Sequence, residues 1–203
     1  MRLTLNTFLT LDGVMQAPGQ PGEDTRGGFE HGGWQFPHFD DDAGRVAADW
    51  FAEADAFLLG RRTYEIFAGY WPKVTDESNV FALRLNTLPK YVVSTTLSSA
   101  DWQNTTLISE DVAGSVTRLK AQPGNELQVH GSGRLAATLE AHDLIDEYRL
   151  WFHPVILGTG HRLFTGAGPL GLRLTGVRTT GSGVIIASYE PTGAPRHGSF
   201  AEE

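Results

Sequence analysis

From Arg2 to Leu9, the residues Leu3, Leu5 and Thr7 alternate with Thr4, Asn6 and Phe8. That two-residue period predicts a strand, and Asp12-Gly13 is the turn pair that stops it. Gln16 to Pro37 has no apolar period and carries six glycines and three prolines. Segments this long without structure of their own tend to be lids or binding loops. This one also holds Phe29, His31, Trp34 and Phe36, which a plain linker does not need. The period then turns helical. Val46, Trp50 and Ala54 recur at every fourth residue of Ala43 to Ala54, with Ala47 and Phe51 beside them. Asp55 to Leu59 is a nearly unbroken apolar run and predicts a buried strand.

Further elements follow. Helices are expected from Gly60-Arg61-Arg62-Thr63 to about Ala68, near Val80 to Leu85, after Asp111, and through Leu135 and Leu139. Strands are expected at Lys90 to Ser94, Thr105 to Ile108, Glu126 to His130, Glu147 to His153, Leu172 to Val177 and Val184 to Glu190. Helices between the early strands imply parallel neighbours with right-handed crossovers, and the short Thr179–Gly183 turn implies an antiparallel final pair. The fold class is therefore α/β: a three-layer αβα arrangement around one mixed, mostly parallel eight-stranded sheet. Residues 1–190 are expected to form one domain, and 191–203 a flexible tail.

Composition narrows the chemistry. The chain has 203 residues, 40% hydrophobic and 20% charged, with a formal charge of −8. Such a chain can bury a sizeable core, and its acidity argues against broad binding to nucleic acid or anionic membrane. It has no cysteine, which excludes disulfides, thiolate metal sites and cysteine nucleophiles and suits a cytoplasmic protein. No apolar run is long enough to span a membrane. The seven histidines show no metal-binding spacing, so no metal site is expected.

Two strand-to-helix junctions have the residues of a phosphate site. In Leu59-Gly60-Arg61-Arg62-Thr63, a glycine permits a tight turn into a helix N-terminus, with two guanidiniums and a hydroxyl nearby. An ordinary helix start with solvated arginines fits the same residues. In His130-Gly131-Ser132-Gly133-Arg134, two glycines would let a pyrophosphate approach the backbone. The same glycines could serve only helix packing, and the third glycine of the dinucleotide fingerprint is missing.

With Ser94-Thr95, these turns resemble the dihydrofolate reductase fold family. The segments Leu11-Asp12-Gly13-Val14 and Pro154 to Phe164 are similar to one branch of it, the reductase domain of the riboflavin-biosynthesis deaminase-reductase and its stand-alone relatives. The resemblance covers about residues 1 to 190. It implies NADPH as cofactor, a small heterocyclic substrate and a homodimer. It also implies roles for residues. Arg61, Ser94 and Thr95 would meet the 2′-phosphate. Gly60, Arg62 and Thr63 would cradle the pyrophosphate, with Gly131, Ser132 and Gly133 under the cofactor. Asp12 is the acidic candidate for orienting substrate or relaying a proton, with an Asp-Gly turn as the alternative. Trp34 and Phe36 would stack on a flat ring or else pin the loop, and Leu157 and Gly158 would shape the pocket. The 16–37 loop is expected to form an adjustable wall over the nicotinamide.

The resemblance also has departures. The acidic residue of the first helix in dihydrofolate reductases falls here on Gly44 or Ala47, and Asp49 and Glu53 read as a solvated flank. The zinc deaminase signature is absent from the sequence. The reading is an NADPH-dependent reductase of a flat, pyrimidine-like heterocycle. A dihydrofolate reductase and a non-catalytic nucleotide-binding module are the alternatives.

Overall fold

The computed structural model describes residues 1–165 and 168–200. It contains β1 (Arg2–Thr10), α1 (Asp41–Ala52), β2 (Ala54–Gly60), α2 (Arg61–Tyr70), α3 (Val80–Thr87), β3 (Lys90–Val93), β4 (Thr105–Ile108), α4 (Val112–Lys120), β5 (Glu126–His130), α5 (Gly133–Glu140), β6 (Glu147–His153), β7 (Gly171–Thr179) and β8 (Ile185–Gly193). The eight strands form one sheet in the order β4-β3-β2-β5-β1-β6-β8-β7. All neighbours from β4 to β6 are parallel, and β8 pairs antiparallel with both β6 and β7. This is the mixed αβα sheet expected from the sequence.

The parallel half puts the carboxyl ends of β1, β2, β3, β5 and β6 on one edge, where ligands of open α/β sheets bind. On one face, Leu3, Leu5, Leu58, Leu127 and Val129 pack under α4 and α5. On the other, Phe57, Leu59 and Val92 pack against Tyr64 and Leu85, while Trp151 and Ile186 pack against Val46 and Ala47 of α1. β5 and β6 pair with both edges of β1, and the layers packed on the two faces of the sheet bury its polar Thr4, Asn6 and Thr10 along with its leucines. Helix starts follow their caps. Asp40 accepts from Ala43 N–H, so α1 begins at Asp41 rather than Ala43. Asn79 and Asp111 cap α3 and α4 in the same way.

Residues 191–193, expected as the start of a tail, belong to the sheet. Pro191 pairs with Leu172 and Gly193 with Gly171, so β8 continues to Gly193. Pro191 is tolerated because β6 pairing has already ended at Tyr148–Tyr189, leaving it only one strand neighbour. The last three residues of the chain lie outside the described residues. No helix of the described residues is long and apolar enough to cross a membrane, and none of their His, Asp and Glu side chains form a group that could hold a metal ion.

Candidate functional site

Two helices start at the strand edge with no intervening loop to speak of. α2 follows Gly60 directly, and α5 follows β5 after Gly131-Ser132. Gly131 and Ser132 both take left-handed backbone angles, with φ of +57° and +63°. That conformation is unfavourable for serine by roughly 1–2 kcal/mol, so something must hold it. Ser132 Oγ accepts from Gly60 N–H at 2.9 Å, lies 2.8 Å from Thr63 Oγ1 and donates to the His130 carbonyl at 3.2 Å. The serine therefore bolts the two helix starts together. Gly60 makes the approach possible: a Cβ there would stand 3.0 Å from Ser132 Oγ and 3.1 Å from its Cβ.

Neither α2 nor α5 has a side-chain cap, whereas α1, α3 and α4 each do. The first-turn N–H groups of α2 and α5 thus stay available at one point, with the partial positive charge of two helix ends. At Gly131 the space a Cβ would fill meets only Thr63 Oγ1, at 3.6 Å. At Gly133 it meets Met15 Sδ, at 3.0 Å. Met15 is thus a neighbour of the turn that the sequence did not suggest.

The other expected phosphate ligands lie next door. Gly60 pairs with Val93, which sets Ser94 beside the start of α2. Ser94 Oγ accepts from Thr96 and Leu97 N–H, closing a turn, and Thr95 is exposed. Arg61 pairs with Glu65 at 3.3 Å on the exposed side of α2. Arg62 is exposed, and it helps, after Arg26, to hold the Asp24 carboxyl below its ordinary value. Asp24 belongs to the 16–37 loop, so that loop reaches toward α2.

At the ends of β1 and β6 the polar groups are already used. Asp12 accepts from Thr10 Oγ1 at 2.6 Å, Gly158 N–H at 2.8 Å, Leu157 N–H at 3.2 Å and Arg162 Nη2 at 3.2 Å. Arg162 Nε also donates to the Asp12 carbonyl, at 2.7 Å. The Thr10 hydroxyl first, then the Gly158 and Leu157 N–H groups, hold the Asp12 carboxyl down to about 2. A carboxylate so fully engaged is a poor proton donor. Asp12 stands where the sequence put it, but the geometry makes it the clamp of the 154–162 segment. Leu157 and Gly158 are what it clamps.

The 16–37 loop is likewise fixed at its root. Gln16 is buried; its Nε2 donates to the Asp24 and Arg26 carbonyls and its Oε1 accepts from His161 N–H. Trp34 donates Nε1–H to the Gln16 carbonyl at 2.8 Å and packs with Val14, Ala17 and Phe29. Gly160 lets Val14 and Phe29 close over it, since a Cβ there would stand 2.7 and 2.8 Å from their side chains. Trp34 is therefore a pin rather than a free stacking platform, and the adjustable wall expected here is anchored by its own small core. Phe36, 78% exposed, remains free to meet a ligand. The signal missed in the sequence was Gln16, a lone polar residue whose three side-chain bonds organise the loop.

Beneath the edge runs a buried polar row on β5 and β6. Arg149 bridges Glu126 and Glu147, lies 4.8 Å over Trp50, and Gln128 links Glu126 to His130. Asp49 of α1 is exposed, and the sheet-facing Ala43, Val46 and Ala47 are apolar, so α1 offers no acid to the sheet. Two open hollows of about 410 and 310 Å³ lie along α1, away from the glycine turn.

Comparison with known proteins gives a consistent answer. The chain is 31% identical over 196 residues to the uncharacterized protein YyaP of Bacillus subtilis, covering 95% of this chain and 96% of that one. Its fold matches a protein assigned to riboflavin biosynthesis from Shewanella sp. PV-4, with TM-score 0.67, 18% identity and 95% and 99% of the two chains covered. It also matches a pyrimidine reductase-like protein of Corynebacterium diphtheriae, with TM-score 0.64, 13% identity and 94% and 91% covered. The family model described as RibD C-terminal domain matches residues 2–186, and this chain belongs to that family.

Proposed function

We propose that the protein is an NADPH-dependent reductase that transfers a hydride to a small, flat, pyrimidine-like heterocycle. The observation that carries the reading is the pair of uncapped helix starts, α2 and α5, joined through Ser132. Free N–H groups, two helix ends and Arg61 and Arg62 suit a cofactor that carries a dianionic pyrophosphate and a further phosphate. Gly60, Arg62, Thr63 and Gly131 to Gly133 would hold the pyrophosphate, and Arg61, Ser94 and Thr95 the 2′-phosphate. Bound there, NADPH supplies the hydride.

The chain's own residues supply position. Asp12 and Arg162 fix Leu157 and Gly158 as one wall, Gln16 and Trp34 fix the loop root, and Phe36 presents an exposed ring. Dihydrofolate is disfavoured because α1 turns only apolar side chains to the sheet. The reading also takes the protein as cytoplasmic and homodimeric. Leu172, Leu174, Val177 and Ile185 leave an exposed apolar strip on β7 and β8 that a second copy would cover.

The test is NADPH consumption, followed by loss of its fluorescence, with a 5-amino-6-(5-phosphoribosylamino)uracil-type substrate and with dihydrofolate in parallel. The expected result is turnover with the pyrimidine and none with dihydrofolate. Efficient dihydrofolate reduction would reverse the ranking, and no NADPH binding at all would remove the reductase reading.

A further inference from the structure

The two sides of β7 differ. Paired residues of neighbouring strands point to the same side of a sheet. Tyr148, Leu150 and Phe152 of β6 pair with Tyr189, Ala187 and Ile185 of β8, and these pair with Leu174, Val177 and Thr179 of β7. Tyr148 and Leu150 belong to the core under α5, so Leu174, Val177 and Ile185 point to the α5 side as well. Tyr189 packs at the margin of that core. Beyond it Leu172, Leu174, Val177 and Ile185 are 37–58% exposed. The other side of β7 is polar. Arg178 pairs with Ile186, which packs on α1, and Arg173 bridges to Glu190.

The bulge in β7 serves the apolar side. Pairing shifts between Leu174 and Gly176, and the extra residue puts Val177 on the side of Leu174, where strict alternation would place it opposite. Phe164 extends the same face toward the proposed heterocycle site. Its ring is half-exposed and lies 6.3 Å from that of Tyr148. Leu163 beside it is buried in the α5 core and donates its N–H to the Gly13 carbonyl at 3.3 Å. Arg162 holds Asp12, and Asp12 holds Leu157 and Gly158. The apolar face and the Leu157–Gly158 wall are therefore two ends of one short segment.

Size and chemistry point to a second copy as the cover. The four side chains and Phe164 expose on the order of 400 Å² of apolar surface, about half of what one partner buries in a standard interface. The edge of β7, which ends the sheet, supplies more. With Arg173, Arg178 and Glu190 turned to the other side, the face is apolar throughout, and an apolar strand face is self-complementary, as a two-fold dimer requires. A formal charge of −8 argues against an anionic membrane.

We propose that this face packs on its copy in a second chain, and that the second copy, by burying Phe164, braces the Leu157–Gly158 wall so that the heterocycle site is complete only in the dimer. The role of the wall rests on the reductase reading; the dependence of that wall on the partner goes beyond it. Phe164 is a positioning residue, acting through Arg162 and Asp12.

Sedimentation and hydrogen exchange test it together. The wild type should be a dimer at about 10 µM and dissociate on dilution. Val177→Glu places a charge in the interface and should be a folded monomer. In that variant, and in the diluted wild type, amides from Leu157 to Thr165 should exchange about tenfold faster, with those of β5 unchanged. A wild type that stays monomeric, or that instead binds phosphatidylcholine vesicles, overturns the proposal. So does a Val177→Glu variant that remains dimeric. Dissociation with unchanged exchange at Leu157 to Thr165 overturns the bracing of the wall. If dimer and exchange behave as stated while NADPH fails to bind the wild type, the reductase reading falls and the braced interface stands.

Discussion

At the ends of β2 and β5, Ser132 joins two helices whose first-turn N–H groups have no side-chain cap. At the ends of β1 and β6, the sequence-distant backbone of Leu157 to Arg162 is held by Asp12 and Gln16, whose polar atoms are engaged. The same sheet edge thus has an open half and a clamped half. Donors left free are ready for an anion, and donors already taken give rigidity. The difference separates binding from positioning along one edge.

The largest expected effect falls on the clamped half. Gly160 has φ of +114°, and a Cβ would collide with Val14 and Phe29. Gly160→Val should destabilise by about 3 kcal/mol or more, a fall of roughly 6–12 °C in melting temperature. The added stabilisation by NADPH should survive in the variant. A melting curve like the wild type's would show that the loop root is not packed as described.

Arg61→Ala probes the open half. Losing a charged hydrogen bond costs roughly 1.5–3 kcal/mol, so NADPH should bind about tenfold to a hundredfold more weakly, with NADH little changed. Equal losses for both cofactors would move the 2′-phosphate away from Arg61.

Asp12→Asn should have the smallest effect and should leave NADPH affinity near wild type. Its signature is the pH dependence. The folded carboxyl sits at about 2, below the ordinary 3.8. A depressed carboxylate stabilises above its unfolded value and loses that stabilisation as pH falls through its folded value. The wild type should therefore melt higher than Asp12→Asn above about pH 4, and the gap should close toward about pH 2. A gap that persists at about pH 2 would assign the difference to something other than the charge.

The order of elements was legible in the sequence because periodicity and breakers mark helices and strands directly. The glycine turn and the Gly60 junction were legible too, since few residues other than glycine fit there. The role of Asp12 was not. Its partners Leu157, Gly158 and Arg162 lie about 150 positions away, brought close only by the parallel pairing of β1 with β6. Trp34 read equally well as platform or pin, and only its bond to the Gln16 carbonyl distinguishes them. The buried Arg149 row was hidden for a related reason. Charged residues alternating with apolar ones look like a solvent face until α1 covers them.

The division of the edge is tested most directly by titrating the amide resonances of the wild-type protein with NADPH. The account predicts the largest shifts at Gly60 to Thr63 and at Gly131 to Leu135, with Thr10 to Val14 and Leu157 to Gly160 moving little. Shifts confined to the Asp12 side, with Gly131 to Leu135 unmoved, would contradict it.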